Sequence, residues 1–125
     1  MASITTDSLL RDLLQACHRS PFVRFVEVRV VDDDVLSVRA HLLEPNTFIN
    51  VFYNVATEKT AFALVKLEKR IFGADNARMG WHKHPLANPD QHETCAPVSF
   101  NEFLAEVEGF YRAKVSQQEE DDTKA

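Results

Sequence analysis

The chain has too few cysteines and glycines for several common kinds of functional site. Among its 125 residues are two cysteines and three glycines. Cys17 and Cys95 are too few for a disulfide framework and lack Cys-x-x-Cys spacing, and three glycines do not supply a glycine-rich phosphate loop. No apolar run approaches the about 20 residues that cross a bilayer, and residues 1–5 lack the basic region of a signal peptide. We therefore predict a cytoplasmic protein without membrane association.

Basic charge is also scarce, except in one segment. The formal net charge of −5 argues against a dedicated nucleic-acid-binding domain. Residues 59–84, however, contain six basic and two acidic residues, a balance of +4. A half-exposed pair of strands with solvated lysines explains this balance, and so does a site for an anion or phosphate.

The pattern of apolar residues predicts one domain of the α+β class. Apolar residues recur at helical spacing over about residues 6–18, where Thr6 and Asp7 can cap the helix. A capping box of Ser99 and Glu102 begins a second helix. Alternating segments between the helices predict a mainly antiparallel sheet of about five to six strands, flanked by the two helices. We assign residues 1–116 to this domain and predict that residues 117–125 form a disordered acidic tail.

Three of the five histidines lie within a span of eleven residues that begins at the end of the basic segment and contains two prolines. If the chain is extended here, His82 and His84 point to one face of a strand, and Trp81 and Lys83 point to the other. Imidazole transfers protons near neutral pH and is also the commonest metal ligand. The segment containing His82, His84 and His92 is therefore the main candidate site.

Three interpretations of this segment remain open. Three imidazoles that leave one position open are typical of a catalytic zinc site in a hydrolase, with Asp75 or Asp90 as a further ligand or ring partner. The second interpretation is an endoribonuclease that needs no cofactor. There, one histidine deprotonates a ribose 2′-hydroxyl and another protonates the leaving oxygen.

In the nuclease interpretation, cationic side chains stabilise the phosphate, and an aromatic ring stacks on a base of single-stranded RNA. The cationic candidates are Arg70, Arg78 and Lys83, and the aromatic candidates are Trp81 and Tyr53. The third interpretation is structural: Trp81 packs in the core and the histidines bind the proline-rich loop. The protein would then be a non-catalytic interaction module, or a homodimer paired through a sheet edge.

Several segments together resemble the TumE-like toxins, a family of small prokaryotic proteins. The resemblance spans roughly residues 23–110 and rests on Phe52-Tyr53-Asn54, Phe62-Ala63-Leu64, Arg70-Ile71-Phe72-Gly73-Ala74-Asp75-Asn76, Trp81-His82-Lys83-His84-Pro85 and His92. It implies an α+β toxin of a type II toxin–antitoxin pair, neutralised by a helix-turn-helix antitoxin. The chain departs from the family pattern in the four residues 77–80 and in its acidic tail.

Our leading hypothesis is a TumE-like protein that acts as a metal-independent endoribonuclease. His82 and His84 share the acid and base roles, and Asp75 orients a ring. Arg70 and Arg78 bind phosphate, and the substrate contacts come from Asn76, Trp81, Lys83 and Tyr53. The resemblance implies functional roles for Arg70, Asp75, Asn76, His82 and His84. The alternatives are a zinc-dependent hydrolase using His82, His84 and His92, and the interaction module.

Overall fold

The computed structural model describes residues 4–77, 80–88 and 90–124, with side chains as far as residue 117. It confirms a single α+β domain in which an antiparallel sheet is flanked by an N-terminal and a C-terminal helix. The elements in chain order are α1 Thr6–Arg19, β1 Val23–Val31, β2 Val35–Leu42, β3 Thr47–Asn54, β4 Lys59–Lys66, β5 Lys69–Asp75, β6 His82–His84, β7 Glu93–Thr94 and α2 Phe100–Lys124.

The sheet is a meander in which each strand pairs antiparallel with the next, in the order β1 to β7. It has seven strands where the sequence predicts about five to six. One of them, β7, has only two residues and lies in the proline-rich loop that follows β6. Two residues are too few to show an alternating pattern, so the sequence gives no signal for this strand.

Both helices pack against the same face of the sheet. Alternate residues of the central strands point to this face and are fully buried, as Val38, Ile49 and Phe62 illustrate. Leu13 of α1 and Phe103 of α2 join them in one apolar cluster. Phe103 is completely buried, and its ring lies 5.4 Å from the ring of Phe62 and 5.1 Å from that of Phe72. The core therefore occupies one side of the sheet.

Helix α1 begins one residue earlier than the predicted caps require. Thr5 is the N-cap: its hydroxyl accepts from the backbone N–H of Ser8 at 3.1 Å, and Ser8 Oγ accepts from the N–H of Thr5 at 3.2 Å. The predicted capping residue Thr6 has another function, because its hydroxyl donates to the carbonyl of Asp32 at 2.6 Å. That contact ties the start of α1 to the β1–β2 turn.

The predicted capping box of α2 is present, but the helix is longer than expected. Glu102 N–H donates to Ser99 Oγ at 3.1 Å, and Ser99 N–H donates to the Glu102 carboxylate at 3.0 Å. The helix continues to Lys124, through the segment 117–124 for which we predicted a disordered acidic tail. The lack of apolar residues in this segment is the basis for that prediction. Glutamine and glutamate favour helix, and no glycine or proline interrupts the segment.

The second face of the sheet is not covered by either helix in the described part of the chain. Its side chains alternate with the buried ones, and most of them are only partly exposed. We call this the open face, and its central residues are Arg39, Phe48, Asn50, Phe52, Ala61, Ala63, Gly73 and Asp75. Within the described ranges, no helix is both long enough and apolar enough to cross a membrane.

Replacing Phe103 by alanine tests the one-sided core. Because Phe103 is completely buried between two other rings, we expect Phe103→Ala to lower the free energy of unfolding by about 3–5 kcal/mol. The matched control is Phe25→Ala, since Phe25 is 51% exposed on the edge strand. We expect this control to cost about 1 kcal/mol or less. Urea unfolding of both variants measures the difference, and equal losses would contradict this description of the core.

Candidate active site

The candidate site forms where β5, β6 and β7 pair on the open face. The register places Asp75 opposite His82 and Gly73 opposite His84, and pairing of His82 with Thr94 brings the segment before β7 alongside. His92 lies just before β7 and reaches the same place. We call Asp75, His82, His84 and His92 the histidine cluster.

The three imidazole rings surround a common point. Their centroids are 5.2 Å apart for His82 and His84, 5.0 Å for His82 and His92, and 4.4 Å for His84 and His92. One nitrogen from each ring can be chosen so that the three atoms lie within 4.8 Å of one another. Within the described residues, no fourth histidine, cysteine or carboxylate joins this group on the same criterion.

Asp75 connects two of the rings. Its Oδ1 lies 3.1 Å from Nε2 of His82, and its Oδ2 lies 3.2 Å from Nε2 of His84. Oδ1 also accepts the backbone N–H of Ala77 at 3.0 Å, which fixes the carboxylate at the end of β5. Because the same carboxylate contacts both rings through Nε2, it aims these two nitrogens at one place.

The other nitrogen of His82 contacts the backbone. Nδ1 lies 3.1 Å from the carbonyl oxygen of Gly80, to which an Nδ1–H donates. Gly80 has φ +94°, a conformation that residues with a Cβ rarely adopt. Donation from Nδ1 to a backbone carbonyl is the usual arrangement for a histidine that binds a metal through Nε2, but here Nε2 faces Asp75 Oδ1, to which it bonds only through a proton of its own.

His84 is the most buried member of the cluster, with 3% of its surface exposed. Burial lowers the pKa of its imidazole, and the positive charge of Arg70 lowers it further. The hydrogen bond to Asp75 acts in the opposite direction but does not offset these effects. The neutral ring is therefore favoured, and a neutral ring can bind a metal or accept a proton.

A cavity of about 500 Å³ opens beside the cluster. This volume is in the range of small-molecule sites. The cavity is lined by the three histidines and by Arg70, Asp75, Ala77, Gly80, Trp81 and Thr94. Six residues predicted from the sequence therefore lie together at this cavity: Arg70, Asp75, Trp81, His82, His84 and His92.

Other predicted site residues lie elsewhere. Lys83 points to the helix-covered side, where its ammonium contacts the Glu106 carboxylate at 2.5 Å. Tyr53 is also on the core face: its ring packs 5.7 Å from that of Phe62, and burial raises the pKa of its hydroxyl. Neither side chain lines the cavity. Arg78 is outside the described residues.

Two further candidates, Asn76 and Asp90, do not line the cavity. Asn76 Oδ1 accepts the N–H of Thr60 at 2.8 Å, and its amide donates to the carbonyl of Glu58 at 2.7 Å, so it joins β4 to the end of β5. Asp90 is exposed and does not belong to the group of metal-ligand atoms found in the described residues.

No role was predicted from the sequence for the two glycines of the site, Gly73 and Gly80. Gly73 is buried in β5, and a Cβ there would lie 3.2 Å from Arg70 Cδ, 3.2 Å from the carbonyl oxygen of Phe62 and 3.5 Å from His84 Cδ2. A glycine inside a strand often marks a close approach by another group. That signal was available from the sequence, and here the groups that approach are Arg70 and His84.

We expect Gly73→Ala to be unfavourable because the new methyl group would press on a backbone oxygen that cannot easily move. The free energy of unfolding should fall by about 1–3 kcal/mol. The control is Gly109→Ala in α2, where a Cβ meets no atom within 4 Å. It should raise the free energy of unfolding by about 0.5–1 kcal/mol, because alanine favours helix over glycine. Thermal melts of both variants give the sign of each change, and stabilisation by Gly73→Ala would contradict the close packing at this glycine.

Comparison with protein-family models, with curated proteins and with solved structures finds no match for this chain.

Proposed function

We propose that the protein is a metal-dependent hydrolase whose metal ion is bound by His82, His84 and His92. The spacing of the three rings carries this proposal. Imidazoles bound to one ion at about 2.0–2.1 Å, with angles of about 90–110° between the bonds, have ring centroids about 4.5–5.2 Å apart. The separations of 5.0 and 5.2 Å lie in this range, and the separation of 4.4 Å between His84 and His92 lies just below it.

Hydrogen bonding around the rings supports the same proposal. His82 directs Nδ1 to the Gly80 carbonyl, so it would bind the ion through Nε2, where the ion would replace the contact with Asp75. His84 favours its neutral form because it is buried next to Arg70. Three imidazoles suit zinc, and they also suit copper, iron or nickel. Zinc is the first ion to test, because three protein ligands and an open position are typical of catalytic zinc sites.

An ion at this point would lower the pKa of a water molecule in its open position. Asp75 lines the same cavity and contacts His82 and His84, so its carboxylate would be available to accept a proton from that water. Arg70 lines the same cavity and can bind an anionic group of the substrate. We therefore propose an ester with a negative charge, in particular a phosphodiester, as the substrate.

Zinc titration of the chelator-treated protein tests the metal site. We expect one equivalent of zinc to bind, and His92→Gln to weaken its binding at least about tenfold, since one of three ligands is lost. His92 is exposed, so its replacement should leave the melting temperature unchanged. The control is His18→Gln, since His18 is exposed on α1, far along the chain from the cluster.

A result of no bound zinc in the wild-type protein, by calorimetry and by elemental analysis after incubation with zinc, manganese or iron, would overturn the metal site. Equal affinity of the His92→Gln and His18→Gln variants would also overturn it. A loss confined to His92→Gln supports the proposal.

A metal-free endoribonuclease is the second candidate, and the surroundings of His84 favour it. A neutral His84 next to Arg70 is suited to take a proton from a 2′-hydroxyl while the guanidinium holds the phosphate. His82, held by Asp75, would then protonate the leaving oxygen. The resemblance to TumE-like toxins and a helix-turn-helix antitoxin as partner belong to this candidate and stay predictions.

Cleavage of a labelled single-stranded RNA, with and without EDTA, separates the two candidates. The metal-dependent proposal expects EDTA to abolish cleavage and added zinc to restore it. The metal-free candidate expects cleavage to continue in EDTA and to be lost in His82→Ala without a change in melting temperature. Activity that persists in EDTA would therefore reject the metal-dependent hydrolase.

A further inference from the structure

A row of paired residues connects the histidine cluster with an arginine on the far side of the open face. The register pairs Arg39 with Asn50, Asn50 with Ala63, Ala63 with Gly73 and Gly73 with His84. Paired residues lie on the same face, so the five side-chain positions form one line across β2 to β6. Four strand spacings separate its ends, a distance of about 19 Å.

The middle of this line has the smallest side chains. Ala63 carries only a methyl group and Gly73 has no side chain, and the space above Gly73 is filled by Arg70 Cδ and His84 Cδ2, which lie 3.2 and 3.5 Å from the position that a Cβ would take. The neighbouring row on one side contains Phe52, paired with Ala61, and the row on the other side contains Phe48, paired with Val65. Two phenylalanines therefore flank Asn50.

Arg39 is a cation whose hydrogen bonds are incomplete. Its Nε is buried and has no hydrogen-bond partner among the described residues. The guanidinium carbon lies 4.5 Å from the centroid of the Phe48 ring. Glu27, its neighbour in the register, contacts His41 at 2.9 Å and Arg29 at 3.4 Å, and the hydrogen bond with His41 and the charges of Arg29 and Arg39 lower its pKa. The Arg39 side chain is half-buried with Nε inside, so a phosphate would bind its terminal nitrogens.

Aromatic rings surround this arginine on the open face. Phe48 lies 5.6 Å from the ring of His41, and His41 stacks on Phe25 at 4.4 Å. Phe52 lies on the same face two alternate positions along β3. Rings on an open antiparallel sheet, next to an arginine, are suited to stacking unpaired bases while the guanidinium binds a phosphate.

We propose that the open face binds single-stranded RNA, which runs from Arg39 across Ala63 and Gly73 to the histidine cluster. Asn50 stands in this line and offers both a donor and an acceptor to a ribose 2′-hydroxyl, which favours RNA over DNA. One part of this RNA-binding proposal rests on the proposed function, namely that a phosphodiester of the bound strand lies at the metal site. Binding itself requires no metal.

Fluorescence anisotropy with a labelled single-stranded RNA of about ten nucleotides measures this binding. EDTA in every sample prevents metal-dependent cleavage. We expect Arg39→Gln to weaken binding about tenfold, because one charge-assisted hydrogen bond to phosphate is lost. The slope of log K against log salt should become about 0.7 shallower, as expected for one phosphate contact on a single strand.

Arg112→Gln is the matched control, because it removes the same charge from an exposed position on α2. A second pair of variants does not depend on Arg39. Ala63→Glu places a negative charge in the middle of the line between Arg39 and His84 and should weaken binding about tenfold or more, by repulsion and obstruction. Ala105→Glu adds the same charge at an exposed position of α2 and should have no effect beyond that of net charge.

The proposal is overturned if Arg39→Gln and Ala63→Glu bind RNA as tightly as their controls while their circular dichroism spectra stay native. It is also overturned if duplex RNA, single-stranded DNA or an acidic peptide binds as tightly as single-stranded RNA. His92→Gln should lose metal and keep RNA affinity, whereas Arg39→Gln should lose RNA affinity and keep metal. Failure of the metal site and failure of the RNA-binding face are therefore distinguished.

Discussion

The antiparallel register of β5 and β6 holds the candidate site together. It places Asp75 opposite His82 and Gly73 opposite His84, and the neighbouring Phe72 and Ala74 point into the core beneath α2. Because side chains alternate between the faces of a strand, a slip of one residue would turn both histidines towards the helices and bring their apolar neighbours into solvent. The stacking of Phe72 on Phe103 therefore determines the positions of the histidines as much as any polar contact does.

The asymmetry of the sheet has a second consequence. Both helices lie on one face, so the fully buried apolar residues of the strands face one way, and the open face carries the histidine cluster. On that open face the chain places small residues, Ala63 and Gly73, between Arg39 and His84. A Cβ at Gly73 would press on Arg70 and on the Phe62 carbonyl oxygen of the neighbouring strand β4, so this glycine allows Arg70 and His84 to pack closely on the sheet. The close packing of the site thus depends on one residue without a side chain.

Much of this arrangement was predictable from local sequence patterns, because the patterns are local in origin. The fold class follows from alternation and helical periodicity, and the common face of His82 and His84 follows from their spacing. The inclusion of His92 did not follow in the same way, since it depends on a two-residue strand pairing with β6. Alternation also placed Lys83 opposite the histidines, which conflicted with its assignment to substrate binding. Alternation alone does not identify the face that the helices cover, so the pairing of Lys83 with Glu106 of α2 was not foreseeable.

Arg70 gives the strongest reason to regard the histidine cluster as a site for chemistry and not only for a structural ion. Its positive charge lowers the pKa of His84, and it lines the same cavity as the three rings. In the proposed hydrolase, an anionic substrate in the cavity would contact both the guanidinium and the ion, and the guanidinium would stabilise the charge that develops as the phosphodiester is attacked. The proposed metal site and the proposed RNA-binding face would then act on one substrate, because a phosphate of a strand bound on the open face supplies that anion.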